Sequence, residues 1–429
     1  MKNLQHNAIG SLTQLAAVGP QDLHLHYGNE DTKASAFKFE SKYSQHTKFG
    51  IDISNTYQVR LRYGDKHVFD VPFQKQHMIS NITLKVKFPD ISMAYDKSRS
   101  TGIHYANKLG YRLLKKVSFK LDGQVIESFT GQYLYILHKL ETTESHREGL
   151  EMMTGMSECE SLLNGDARTL YIPLPLWYAR TMKQFFPLFT LKRQSLKIVI
   201  ELESIENLIE CENEENVVDV STTSQNGRVK IQCNPAHSHT IIESVIDAEY
   251  YIDYIVVDDI ERNVYLEKNQ THVYNTVLYQ TEKLKNDTSK ILMHFNIPVK
   301  QLIFVFTDNN DMFKFYKFTS ARLIFGKSAN DLMNKFSSDY YTLLQDYYHN
   351  KCHAYNENIH SYSFALNASV SEHNGAIHLG QMTSKILDMN GPFIKDDGTE
   401  IKNVSIHIYA RGYNVFHIQE GYGSIEFKA

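Results

Sequence analysis

Apolar and polar positions alternate with period two along much of the chain. In Ser195–Glu203, Leu196, Ile198, Ile200 and Leu202 fall on one side and Lys197, Val199 and Glu201 on the other. Asn81–Phe88 does the same with Ile82, Leu84, Val86 and Phe88. Each pattern predicts a half-buried strand, because successive side chains of a strand point to opposite faces. Lys116–Leu121 and Gln124–Ser128 flank Asp122-Gly123, a pair that tolerates positive φ at both turn positions and so predicts a hairpin. Further strands are expected at Ala248–Val257, Asn275–Glu282, Ile291–Asn296, Gln301–Thr307, Ser320–Phe325, Ser361–Leu366 and Val404–Ala410. Helical spacing is confined to a few places. Gly131–Thr142 puts Tyr133, Ile136, Leu137 and Leu140 on one face. Asp258–Glu267 reads as a short helix with an acidic start, and Ser338–Tyr348 fits either a helix or a loop. Many short strands with few helices point to an all-β sandwich or barrel. The weakest pattern, at 205–238, holds the acidic Glu210–Glu215 stretch and Ser221–Gly227, and is expected to be a loop between two halves.

Composition narrows the function. The chain has 429 residues, enough for two or three domains, with 42% hydrophobic residues to fill their cores. A formal net charge of −4 argues against a protein that wraps nucleic acid through bulk charge. Cys159, Cys211, Cys233 and Cys352 are widely spaced, which suits free thiols in a reducing compartment. The start of the chain lacks the apolar core of a signal peptide, and no apolar run reaches the ~18 residues of a membrane span. A soluble protein made in the cytosol is expected. Sequons at Asn81, Asn269, Asn286, Asn367 and Asn403 are read as chance matches on that ground.

Candidate chemistry is sparse. Cys233, His237 and His239 look like half of a zinc site without a second half. His24, His26 and Glu30 have the H-x-H-x₃-E order of a cupin metal site, but no second block supplies the missing histidine. No Gly-x-Ser-x-Gly and no phosphate-cradling glycine loop occurs. The Glu210–Glu215 run is read as a solvated loop in preference to a calcium site. The pairs Tyr250-Tyr251, Tyr340-Tyr341 and Tyr347-Tyr348 could stack on sugars, and are read instead as core and subunit-interface residues. His294 and His417 are read as satisfied core or surface side chains, although twenty histidines could tune assembly as pH falls toward 6. No catalytic, cofactor-binding or metal-binding residue is assigned, and no cofactor is implied.

Ordered segments along the chain carry more information than any of these sites. They are Gly10–Asp22, Phe37–Gly50, Leu170–Tyr178, Met293–Lys300 and Tyr413–Gly423. Between them lie Asn107–Leu109, Lys115-Lys116-Val117 and Asp122-Gly123-Gln124, and then Tyr254, Asp258, Asp259, Glu261 and Arg262. Together they resemble the major capsid protein family of nucleocytoplasmic large DNA viruses. The closing segment departs from the family's Met-rich pattern, with His417, Gln419, Glu420 and Tyr422 where that stretch would fall. The resemblance implies an all-β fold of two consecutive eight-stranded antiparallel jelly rolls, a double jelly roll, with a few short helices in loops. The expected division is an N-terminal arm at 1–24, a first jelly roll at 25–205, a linker at 206–240 and a second jelly roll at 241–429. The implied function is structural and not enzymatic: a capsid subunit forming pseudo-hexagonal homotrimers that tile an icosahedral shell. Implied partners are the homotrimer itself, neighbouring capsomers, minor capsid proteins and internal viral membrane proteins, with no direct sequence-specific contact to nucleic acid. The implied location is the virion, after synthesis and assembly in the host cytoplasm. Two other readings stand beside it. One is a paralogous minor capsid or scaffold protein of the same fold; the other is a cupin-like metal enzyme or sugar-binding jelly roll.

Overall fold

The computed structural model describes residues 48–72, 77–89, 91, 103–156, 168–180, 184–211, 217–223, 228–234, 239–284, 288–308, 311–326, 334–352, 354–393 and 404–427. The first half builds two facing four-stranded sheets. Its strands are β1 (Phe49–Arg62), β2 (Lys66–Asp70), β3 (His77–Phe88), β4 (Leu114–Leu121), β5 (Gln124–Phe129), β6 (Arg168–Pro173), β7 (Leu196–Leu202) and β8 (Val245–Val257). They pair in the orders β1-β8-β3-β6 and β2-β7-β4-β5. The second half repeats this wiring with β9 (Gln270–Lys283), β10 (Thr288–Leu292), β11 (Pro298–Asp308), β12 (Ser320–Gly326), β13 (Phe336–Ser337), β14 (His360–Ser363), β15 (Ser384–Asn390) and β16 (Val404–Gln419). Its orders are β9-β16-β11-β14 and β10-β15-β12-β13, the first set shifted by eight, with two short strands added at the edges of the larger sheet. All these pairings are antiparallel. The chain is a double jelly roll.

Local chemistry explains the elements. Asp122 and Gly123 adopt φ of 43° and 90°, the twist-matched hairpin turn that their sequence predicts between β4 and β5. The Asp122 carboxylate also accepts from the Ser195 N–H at 2.8 Å, tying the turn to the start of β7. Among the described residues, five α-helices fill the connections: α1 (Leu109–Leu113), α2 (Gly131–Glu141), α3 (Glu144–Thr154), α4 (Asp259–Glu267) and α5 (Gln345–His349). Thr130 caps α2 by accepting from the Tyr133 N–H at 3.2 Å, and Asp258 caps α4. In the ambiguous stretch Ser338–Tyr348, a π-helical turn at Tyr340–Leu344 leads into α5. The Ser338 hydroxyl pairs with His360 Nε2 at 2.7 Å instead of capping that turn.

Two expectations differ from what is observed. The boundary at 241 does not separate the sheets, because β8 inserts between β1 and β3 of the first half. Its alternation of Ile246, Ala248, Tyr250, Ile252 and Tyr254 toward the core fixes which face is buried but not which strands it joins. The supposed linker at 206–240 contains an antiparallel three-stranded sheet, Val217–Thr223, Arg228–Asn234 and His239–Glu243. Its β-branched residues, from Val217 to Ile242, outweigh the turn-like Ser, Gln and Asn between them.

Two cores result. One fills the second roll between its own sheets, with Leu302, Phe304, Phe306, Leu323, Leu387, Ile406 and Ile408. The other fills the first roll and runs on into the second through Tyr274, Ile303, Val305, Tyr409 and Phe416. Strands β11 and β16 are therefore buried on both faces, one against their own roll and one against the neighbouring roll.

Candidate functional site

The seam between the rolls is dense in polar contacts among the described residues. Helix α2, which leaves β5 of the first roll, lies against β16 of the second. The Tyr409 hydroxyl donates to Gln132 Oε1 at 2.6 Å. Thr130 Oγ1, 3.0 Å from the same hydroxyl, must then be the donor of their shared bond. The Gln132 amide in turn donates to the Met312 carbonyl. A single chain of hydrogen bonds thus runs from the α2 cap into the second roll. Farther along α2, Arg411 pairs with Glu141 and also donates to Gln301 Oε1 at 2.9 Å. Around these lie Arg112 with Asp311 at 3.0 Å, Lys108 with the Phe313 carbonyl at 3.0 Å, and Tyr274 with the Ile126 carbonyl at 3.0 Å. Tyr135 donates to Glu357. Gln194 bonds Gly423 through both main-chain groups, at 2.6 and 3.3 Å. Such polar networks fix one relative placement of two apolar surfaces, which bulk burial alone would not select.

Buried titratable groups surround the seam. Glu127 of β5 is about 1% exposed, accepts from the Trp177 N–H at 2.9 Å and lies 3.5 Å from Arg180. Burial pushes its carboxyl up to about 7, against the pull of Arg180 and the Trp177 N–H. In the second roll, burial likewise lifts Asp346 to about 7, although Ser361, Asn350 and Ala354 all donate to it. Burial lowers His138 and His407 to about 4 and His360 to about 3, and it lowers His272 as well. His407 sits between the Tyr279 hydroxyl at 2.8 Å and Thr307 Oγ1 at 2.9 Å.

These shifts oppose one another. A histidine lowered in the fold takes up its proton first in the unfolded chain, so stability falls as pH drops below 6.5. An acid raised in the fold holds its proton first in the folded chain, so stability rises as pH drops from about 7. Between about pH 6.5 and pH 4.5, His138, His360 and His407 outnumber the two acids by one, a net loss of about 1.4 kcal/mol per pH unit from these five groups, and His272 adds to it. Urea midpoints across that window should fall with pH more steeply for a Glu127→Gln, Asp346→Asn double variant than for the parent, by about 2.7 kcal/mol per pH unit at most. A double variant no steeper than the parent would overturn the assignment.

Other residues singled out from sequence fall elsewhere. Tyr250 and Tyr341 are core residues, whereas Tyr347 and Tyr348 are each 67% exposed. His417 faces Thr271 at 3.2 Å and Glu426 at 3.6 Å. His24, His26, Glu30, Cys159 and His237 lie outside the described residues, as do the side chains of Cys211, Cys233 and His239. Among the described residues no cluster of three metal-ligating side chains occurs, and no helix is long and apolar enough to cross a membrane. Sequence reasoning missed Arg180 and Arg411, and took Lys300 only as the end of a motif. The available signal was a lysine set in the apolar run of β11, where both faces are covered.

Repeated jelly-roll wiring and a locked seam define a structural subunit, a wall element of the double jelly-roll class. Comparison with known proteins gives the family. Residues 37–258 match the family described as major capsid protein N-terminus, a span that ends one residue beyond β8. The major capsid protein of Pyramimonas orientalis virus is 24% identical over 447 aligned positions, covering 97% of this chain and 99% of that one. Probable capsid protein 4 of Acanthamoeba polyphaga mimivirus is 21% identical, covering 98% of this chain and 99% of that one. Among solved structures, the PBCV-1 virus capsid chain superposes with a TM-score of 0.71 at 16% identity, over 91% of this chain and all of that one. The Faustovirus major capsid protein gives 0.68 at 12% identity, over 97% and 98%. The chain belongs to the major capsid protein family of nucleocytoplasmic large DNA viruses. It is a structural component of the virion and not an enzyme.

Proposed function

We propose that this chain forms a homotrimer with a pseudo-hexagonal outline, and that such trimers tile an icosahedral shell. The observation that carries the reading is the twofold use of one strand order, with the two copies locked along the α2–β16 seam. Two similar rolls per chain turn three chains into six similar walls, which is what a sixfold lattice position requires. In this reading the first roll runs from 49 to 257 and the second from 259 to 427, replacing the division expected from sequence.

The trimer contact is assigned to one exposed face of the second roll. Leu343, Leu344, Tyr347 and Tyr348 around α5 are 43–67% exposed, and Leu366 and Val370 of the following loop are 78% and 38% exposed. Helix and loop are joined by the Ala368 N–H to His349 carbonyl bond at 2.8 Å. A Tyr- and Leu-rich surface of this kind, with the exposed Lys351 beside it, suits the centre of a subunit interface, and its occupant here is a second copy of the chain. Light scattering should give about 149 kDa, three times 49.6 kDa, with hexagonal outlines in negative stain. Tyr347→Asp with Leu366→Asp should shift the mass to that of the monomer while the circular dichroism of the fold persists. A parent that is monomeric at micromolar concentration would overturn the trimer. A double variant that remains trimeric would move the contact to another face.

A further inference from the structure

A cavity of about 370 Å³ opens along the seam. The first roll contributes Arg180, and the second contributes Lys300 and Arg411. The Arg411 side chain is 1% exposed and that of Arg180 is 9% exposed. Lys300 is 1% exposed. Three cations facing one small cavity are costly to bury, and each needs a counter-charge or a full set of acceptors.

The described residues supply these only in part. Arg411 has Glu141, and Arg180 has Glu127 at the edge of hydrogen-bond distance. The Nε atoms of both arginines are buried without an acceptor among the described residues. Lys300 Nζ donates to the Val370 carbonyl at 3.2 Å and lies 5.7 Å from the centre of the Tyr413 ring. No carboxylate is paired with it among the described residues. Its neighbours repel its charge: burial, then Arg411 and Arg180, push Lys300 down to about 6, with only Glu141 pulling the other way. Lys351 stands at the rim, and His138 lines the wall from α2. With Lys300 protonated, Arg180, Lys300 and Arg411 exceed Glu127 and Glu141 by one positive charge, and Lys351 at the rim adds another; with Lys300 neutral the two arginines and two carboxylates balance.

We propose that this cavity binds a small tetrahedral oxyanion of the phosphate class, held between the rolls by Arg180, Lys300 and Arg411. The chemistry matches on three counts. Guanidinium N–H groups present the fork that phosphate oxygens accept. An anion of one to two charges balances the cations once Lys300 takes up its proton. Lys300 regains a partner for its proton. Because the cations come from both rolls, the bound ion bridges them and stiffens the seam. This goes beyond the capsomer reading, since it concerns the folded chain alone whatever its assembly.

The test is a thermal titration of the full chain with sodium phosphate, from zero to about 10 mM, at constant ionic strength balanced with chloride. The melting temperature of the parent should rise along a saturating curve. In Lys300→Met the half-saturating concentration should be at least tenfold higher. Phosphorus NMR gives a second readout that does not depend on melting: the phosphate line should broaden with the parent and sharpen again on adding sulfate. Adding adenosine monophosphate in a parallel titration separates the sources. Displacement of phosphate assigns the site to a terminal phosphate of a larger molecule, and absence of displacement assigns it to the free ion. An unsaturable rise in the parent, an equal rise in Lys300→Met, or a phosphate line unaffected by the parent would overturn the proposal.

Discussion

Gly131→Ala should abolish folding. A Cβ at this position would stand 1.9 Å from the Tyr111 carbonyl oxygen and 2.5 Å from that of Leu114. Both obstacles are main chain, so no side-chain rotation relieves them. Helix α2 would have to lift from the α1–β4 corner, and with it would go the bonds of Thr130, Gln132 and Glu141 to the second roll. Loss of that much packing and pairing exceeds about 4 kcal/mol, the range in which single substitutions unfold a domain. The expected result is insoluble protein on expression. Gly149→Ala is the matched control: it lies in α3 with no atom within 4 Å of the added Cβ. There the substitution should be neutral or stabilise by about 0.5–1 kcal/mol through helix propensity. A soluble Gly131→Ala protein with the parent's melting temperature would show that α2 is not seated on that corner.

The contrast between these two glycines marks what sequence conveys. Both sit at helical spacing, and nothing in the neighbouring letters separates them. Local signals were legible wherever the cause is local: the Asp122-Gly123 turn, the short acidic-started helix α4, the alternation of β3, β7 and β8. Ordered segments spread over the whole chain carried the family and, through it, the double jelly roll. Partner choice was not legible, because alternation in β8 shows a buried face without saying that β1 and β3 cover its edges. The seam was hidden for a related reason. Val404–Ala410 reads as a strand ending before a charge, yet β16 continues through Arg411 to Gln419, and the arginine is covered by α2. A strand buried on both faces gives no polar face by which to recognise it, so its functional cations look like strand ends. The histidine count likewise suggested titration near pH 6, whereas the three buried histidines are held neutral down to about 4 or below.

Lys300→Met should make the protein more stable, and the gain should depend on pH in a defined way. Lys300 titrates near 6 in the fold and near its ordinary value of 10.5 in the unfolded chain. Across that window the unfolded state holds the extra proton, so the stability of the parent rises with pH. Near pH 7 and in phosphate-free buffer, the buried lysine costs on the order of 4 kcal/mol as an upper figure, most of which methionine removes. Methionine also keeps the length of the stem and fills the same space without a charge. The melting temperature should therefore rise by several degrees near pH 7, and the difference from the parent should shrink steadily to about 1 kcal/mol or less near pH 10, as the pH nears the unfolded lysine's value of 10.5. Below pH 6 the difference should be constant, since the lysine is then protonated in both states. Melting both proteins at the same scan rate from about pH 5 to pH 10 measures this directly. A variant less stable than the parent at every pH would mean that Lys300 is fully paired in the fold, by Glu141 or another group. A difference independent of pH would mean that the lysine stays charged there. The expected outcome instead identifies a buried lysine that weakens the isolated chain.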